Sequence, residues 1–510
     1  MISETINQLI VYAKLHLGMN EEDCLYFKNI LLGELKVAKP SNEEVDVKKI
    51  SEMKVPDEFV EEIQYYLVNE LKYSEHDAEL FATKLMGFLT PNPSIVTKKF
   101  EDLEKDSDKK ALDYLYDLSI KNNYVAKTKI EKNLLWESNF DDKNIEVSVN
   151  LSKPEKNNKD IAKLIAKTNV NEEKYPKCLL CYENLGFYGN DKHPARENIR
   201  LIPLKLNNEN WYLQYSPYGY FNMHCIVLKE THSNMIIDRN TFIALCDFVD
   251  RFPSFFIGSN ADLPIVGGSI LNHEHFQGGE HLLPLMKQSP SKEYKLSRFK
   301  DCKLYKLNWY NTCLMIESKN RKEMIDLATE ILSTWRDYND SDNEIVSYDE
   351  QGKHNTITPS VRKMGDTYFF YLILRNNRCN EKYPDGIFHA HPEYHMIKKE
   401  GIGIIEAMGL FILPARLVRQ SGEIQDVLLK NYNNEEILKA YPDLDNFLPM
   451  IDALKRNYSK QLIKEKIKEY INNVCKGILE NTGVFKNDCN GNLGLDKFIG
   501  GMHLWLVNII

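Results

Sequence analysis

A chain of 510 residues with 43% hydrophobic and 27% charged side chains holds enough apolar material for a sizeable core, and at roughly 150 residues per domain it allows two to four folding units. Its formal charge of −9, from 65 Lys+Arg against 74 Asp+Glu, argues against a protein that grips nucleic-acid backbone, while leaving room for a local cationic pocket. No apolar stretch reaches the ~18 residues of a membrane span, Glu4 and Lys14 interrupt any signal-peptide core, and the ten cysteines read as reduced thiols of a cytoplasmic chain.

Residues 1–90 are predicted helical. Ile6, Leu9, Ile10, Ala13 and Leu17 follow helical spacing, Phe59, Ile63, Tyr66 and Leu67 share a face of Asp57–Leu71, and Glu75–Leu89 follows. Pro91 and Pro93 break the pattern at Thr90–Ser94. Helices then resume, Lys109–Asn122 among them, and the Lys/Asn/Asp-rich stretch 140–175 reads as strand, loop and connecting helix. From Tyr175 onward the texture changes. Strand-like runs at Trp211–Tyr215, Phe221–Leu228, Lys303–Leu307 and Thr367–Arg375 alternate with helical Asn240–Phe252 and Lys322–Tyr338. The tail returns to helix, Glu435–Tyr441 and then Asn446–Tyr470 on to Leu479, with Lys/Glu alternation on a solvated face. The expected fold class is α+β, with helical material at both ends.

The most informative segment is Asp262–Gly279, DLPIVGGSILNHEHFQGG. Gly267 and Gly268 allow close approach of a ligand to backbone. If the run that follows is a strand, its period of two puts His273, His275 and Gln277 on one face and Glu274 and Phe276 on the other. A histidine of ordinary pKa about 6.5 is mostly neutral at pH 7 and can attack phosphorus without a separate base. Gln277 can hydrogen-bond phosphoryl oxygens but cannot deliver a proton. That suits a leaving group that is already a phosphate, as in group transfer between two phosphates through a phospho-histidine. The plainer alternative is a pair of histidines on a half-buried strand.

This segment resembles the signature of the second class of galactose-1-phosphate uridylyltransferases, the form typical of Gram-positive bacteria, with Asn272 where a small residue is usual. LTPNPS (Leu89–Ser94), YLYDLS (Tyr114–Ser119), Tyr175-Pro176 with CLLC, HPAREN (His193–Asn198), QYSPYGYFNMHCIVL (Gln214–Leu228), HNTITP (His354–Pro359) and HAHPEYHMIKKEGIGIIEAMGLFILPARL (His389–Leu417) resemble further blocks of that family. The resemblance implies an exchange in which UDP-glucose and galactose 1-phosphate give glucose 1-phosphate and UDP-galactose. It implies His275 as the nucleophile that becomes uridylylated, with His273 beside it and Gln277 holding phosphoryl oxygens. Ser269 matches a phosphate-contacting serine, Gly268 adjoins it, and Asn260 matches a nucleotide contact with the spacing shifted by about one residue.

Cys178-x-x-Cys181 has zinc-ligand spacing. By resemblance to the first class of the family, His232 and His273 complete a structural zinc site, with His193 or His224 as substitutes for His232. The alternative is two half-buried cysteines with no ion. No organic cofactor is expected. His389-Ala-His391, with Glu393 and His395, repeats the alternate spacing. With HNTITP and the strand ending at Arg375 it resembles the second half of a duplicated histidine-triad-like body. These histidines could bind metal, contact sugar phosphate or serve stability, and Arg375, Arg362, Lys398, Lys399 and Arg416 are candidate phosphate partners. The implied organisation is a helical segment 1–135, a first histidine-triad-like half 136–300, a second half 301–425, an antiparallel sheet with flanking helices, and a helical segment 426–510. The expected partners are the two small substrates alone, without nucleic acid or membrane, and a homodimer is the assembly considered.

Overall fold

The computed structural model describes residues 2–140, 142–151, 175–268, 270–456 and 461–502. They fall into two compact units: the described residues of 2–132, 175–233 and 277–279 form the first, and those of 133–151, 234–276 and 280–502 the second. The chain passes from the second into the first inside the strand His275–Gly279.

The first unit opens with helices that obey the apolar spacing. Ile6 and Leu9 on the first, Ile2–Tyr12, and Ile63 and Leu67 on Asp57–Asn69, are almost wholly buried, as the burial of an apolar stripe requires. The helix Glu75–Leu89 begins where the Ser74 hydroxyl accepts the Asp77 N–H, and Pro93 occupies the first turn of the next, Pro93–Glu104. The Pro-bearing break between them leaves carbonyls with no helical partner. Arg200 supplies it: its buried guanidinium donates to Thr90 O at 2.9 Å and Pro91 O at 2.6 Å, and also to Glu197 O and Ile199 O. Three antiparallel strands follow, Ile202–Leu206, Glu209–Tyr215 and Cys225–Lys229.

The second unit carries a large antiparallel sheet. Its strands run in the order Phe256–Gly258, Asn355–Met364, Thr367–Asn376, Cys313–Ser318, Cys302–Leu307, Pro290–Tyr294. The helices Arg239–Arg251 and Arg321–Asp337 pack on it. Asp238 and Thr241 form a reciprocal capping box on the first, and Trp335 of the second donates its indole N–H to Thr356 O at 2.9 Å and Arg375 O at 3.1 Å. A smaller sheet joins Leu134–Phe140 antiparallel to Lys143–Asn150, which pairs parallel with Leu410–Pro414. The class is therefore mixed α and β with a large antiparallel sheet, as the sequence implied. No helix among the described residues is long and apolar enough to cross a membrane.

Three local expectations shift. The strand read from Phe221 begins at Cys225, because Gly219 and Met223 take positive φ (46° and 54°) and turn the chain before it. The strand of the histidine motif begins at His275, leaving His273 in the segment before it. The tail helix Asn446–Leu479 is divided into Leu448–Arg456 and Ile463–Thr482. Pro449 has no N–H to give and sets the start of the first, and Leu462 lies outside the helical region at φ −116°, ψ 16°. Residues 152–174, within the stretch read as strand, loop and helix, lie outside the described residues.

Candidate active site

The approach to the histidine motif is built from tight backbone. A Cβ on Gly268 would lie 2.4 Å from the Asn260 amide nitrogen, and one on Gly267 2.6 Å from Ala261 O, so both positions exclude larger residues. The Asn260 side chain is itself tied down, its Oδ1 accepting the Ile404 N–H at 2.8 Å. Asp262 accepts the Ile237 N–H at 3.0 Å and the Thr356 hydroxyl. These contacts hold the segment leading into the glycine pair to its own unit. Ser269 lies outside the described residues.

His275 is 6% exposed and its ring is held by its own backbone. Nδ1 lies 2.8 Å from His273 O. A carbonyl only accepts, so Nδ1 carries the proton and the lone pair sits on Nε2. Burial pulls the His275 pKa down to about 4, with the His273 carbonyl working against it, so the ring is neutral. A neutral imidazole with its proton fixed on Nδ1 and an unprotonated Nε2 is what attack on phosphorus requires. Further along the strand, Gln277 Oε1 lies 3.1 Å from Nε2 of His224.

In the first unit Cys178, Cys181 and His232 converge. The two sulfurs are 3.6 Å apart and Cys181 Sγ is 3.1 Å from His232 Nδ1. That is too far for an S–S bond of ~2.05 Å. It is close to the ~3.8 Å expected between two sulfurs bound at ~2.3 Å to one tetrahedral ion. Backbone N–H groups of Cys178 and Leu180 point at Cys181 Sγ (3.3 Å) and Cys178 Sγ (3.4 Å), as suits thiolates. Asn184 donates to both Cys178 O and Cys181 O and fixes the turn. The donors and their spacing fit zinc. His224, a substitute considered from the sequence, is engaged by Gln277 instead. His273, fully buried, belongs to the second unit.

The other histidine pair is held differently. His391 stacks on Tyr383 (ring centroids 3.9 Å apart) with Nε2 2.9 Å from Ile387 O, and His395 Nε2 is 2.9 Å from Ala390 O. His389 is buried, accepts the Ile402 N–H on Nε2 at 3.3 Å, and has no hydrogen-bond partner for Nδ1 among the described residues. Arg375 is fully buried. It donates to Ile402 O at 2.9 Å, its Nε is without a hydrogen-bond partner among the described residues, and burial pulls its pKa down to about 10, so it stays charged. Lys398 is paired with Glu406 at 3.0 Å, and Arg362 with the Tyr371 hydroxyl.

Residues 44–234 match the family model described as galactose-1-phosphate uridyl transferase, N-terminal domain, and residues 248–440 match its C-terminal domain. The chain belongs to the galactose-1-phosphate uridylyltransferase family. Curated galactose-1-phosphate uridylyltransferases from Fusobacterium nucleatum and Clostridium acetobutylicum are 42% and 41% identical to it, over 98% of this chain and 98% and 99% of theirs. Among solved structures, the crystal structure of yeast Ap4A phosphorylase Apa2 covers 67% of this chain and 93% of its own at 10% identity and a TM-score of 0.30, a likeness too slight to argue from.

Two residues of this uridylyltransferase-family site escaped the sequence reading: Asn184, which braces the cysteine turn, and His224 as the neighbour of Gln277. The only signals were an asparagine soon after CLLC and a histidine inside an aromatic block. Burial also makes a titration test available. His389 is pulled down to about 4, by burial first and then by the charge of Arg375, with His395 and Lys398 adding and Asp385 opposing. The unfolded chain binds a proton there as pH falls through about 6.5, and the folded chain does so only near 4. Stability is thus fully present above 6.5 and is lost between those values by roughly 1.4 kcal/mol per pH unit. Glu197, pushed up to about 7 by burial, acts in the opposite sense, so the comparison is with His389→Gln. The drop in Tm from pH 7.5 to 5.5 should be smaller in that variant. An equal drop would rule out a neutral buried His389.

Proposed function

We infer that the chain is a cytoplasmic UDP-glucose–hexose-1-phosphate uridylyltransferase that exchanges UMP between UDP-glucose and galactose 1-phosphate. Its family and its full-length relatives support the reaction, and the observation that carries the mechanism is the His275 ring with Nδ1–H on the His273 carbonyl. Nε2 attacks the α-phosphorus of UDP-glucose. The N–P bond forms, the bond from that phosphorus to the bridging oxygen breaks, and glucose 1-phosphate leaves as a phosphate needing no proton. A phosphate oxygen of galactose 1-phosphate then attacks the same phosphorus, releasing His275 and UDP-galactose. The positive charge that grows on the ring during attack is offset by the Nδ1–H bond to the carbonyl.

Gln277 would donate to the non-bridging oxygens, and Gly268, Ser269 and Asn260 would line the approach of the nucleotide phosphates. Arg375, with His389 and His391, would serve the sugar phosphate. Support for Arg375 is its full burial with one N–H unpartnered among the described residues, while the Glu406 carboxylate that acts on it is hydrogen-bonded to Lys398. Cys178, Cys181 and His232, which converge within the first unit, would hold a structural zinc, with His273 as the fourth ligand that the family resemblance implies. When bound, zinc fixes its ligands in place, and a ligand at His273 stiffens the carbonyl that orients His275.

Incubation with UDP-glucose alone is the test. One uridylyl group per chain, discharged as UDP-galactose when galactose 1-phosphate is added, is the expected result. Exchange without any adduct would refute the covalent route, and neither adduct nor exchange would refute the function.

A further inference from the structure

We propose that His224 is a positioning residue for Gln277: its Nε2–H holds the amide oxygen, turning the NH2 group toward the phosphoryl oxygens of the nucleotide. This rests on the proposed function above and gives a role to a residue that the mechanism there does not use.

A side-chain amide has an accepting end and a donating end of nearly the same shape, and its two flipped orientations differ little in packing. Only the donating end attracts an anionic phosphoryl oxygen; the carbonyl end repels it. Something must choose between them, and the group in contact is His224, whose Nε2 lies 3.1 Å from Gln277 Oε1. His224 is 2% exposed. Burial pulls it down to about 4, leaving one ring proton at neutral pH. Its Nδ1 is buried without a hydrogen-bond partner among the described residues. A proton there would be a donor stranded in the interior, whereas on Nε2 it is satisfied by Gln277, so the Nε2–H tautomer is favoured.

The ring is also clamped. Tyr220 stacks on it at 5.2 Å and 23°, and Phe221 packs at 4.6 Å. The turn that carries it is closed by the His224 N–H on Phe221 O at 3.2 Å and by the Ser216 N–H on His224 O at 2.8 Å. That turn abuts the end of the Gln277 strand, since a Cβ on Gly279 would lie 2.8 Å from Met223 O. The separation of His224 from Gln277 is thus set by backbone on both sides, and the amide cannot rotate without giving up its partner.

The measurement is single-turnover uridylylation by UDP-glucose, with KM, kcat and thermal melting followed for each variant. Removing a phosphoryl-oxygen donor costs about 10²–10³-fold, and leaving it free to flip should cost about 10–100-fold in His224→Phe, which keeps the ring stack. KM for UDP-glucose should move by less than about threefold, because the loss falls on the transition state. His224→Gln, long enough to place an N–H on the same oxygen, should recover most of the rate, and the shorter His224→Asn should not. In the Gln277→Ala background His224→Phe should cost nothing further. A wild-type rate in His224→Phe, equal rates in the Gln and Asn variants, or a full additional loss in the double variant would each overturn the proposal. Should the Phe variant fail to fold, the Gln and Asn pair decides alone. A wild-type chain that forms no adduct refutes the transferase reading instead, so the two failures are distinguishable.

Discussion

His275→Ala is expected to form no uridylyl-enzyme and to lose exchange by at least about 10⁴-fold, the scale on which removal of a covalent nucleophile acts. His275 Nδ1 is committed to the His273 carbonyl at 2.8 Å, and no other group takes Nε2 among the described residues. The variant deletes that lone pair and puts nothing in its place. Folding should survive, because the strand His275–Gly279 keeps its flanking core at Phe276, 0% exposed. Incubation with uridine-labelled UDP-glucose, denaturation and counting of protein-bound label reads the result. Label retained at wild-type level would move the nucleophile to another side chain.

Cys181→Ser is the second large effect. Wild-type protein purified without added metal or chelator should carry close to one zinc per chain, and the variant close to none. Sulfur in this position is 1% exposed, sits 3.1 Å from His232 Nδ1 and 3.6 Å from Cys178 Sγ, and receives a backbone N–H. A hydroxyl there is a poor zinc ligand and a smaller atom. Losing a structural ion costs several kcal/mol of folding free energy, so Tm should fall by about 10 °C. Cys475→Ser, equally buried but remote in sequence from the cluster, is the control and should keep its metal. Wild-type protein free of metal would reduce the group to two packed thiols, Cys178 half-buried and Cys181 buried.

How much of this was legible in the sequence depends on how local the physics was. The helices at Asp57 and Glu75 were readable because apolar spacing and a proline break both act within a few residues. His275 was readable because its chemistry is written into adjacent positions, and the 2.8 Å bond that fixes its proton is made to the backbone two residues earlier. The break before Ile463 left no trace in the Lys/Glu alternation, which reports solvent exposure and not continuity. The late start of the strand at Cys225 depends on positive φ at Gly219 and Met223, and methionine carries no such signal. His224 meets Gln277 across 53 positions, so only folding brings them together.

The Arg200 guanidinium gives the opening helices a standing that their composition conceals. It reaches back about 110 positions to the carbonyls of Thr90 and Pro91, so the segment before residue 92 is not a detachable cap. A chain trimmed from its N-terminus past Pro91 would strip the Arg200 guanidinium of two of its carbonyl acceptors, each hydrogen bond to a charged group being worth about 1.5–3 kcal/mol, next to the residues that lead into the strand Ile202–Leu206. Attempts to dissect this protein should therefore cut elsewhere, and a library of N-terminal deletions would be expected to stop yielding folded protein before that point is reached.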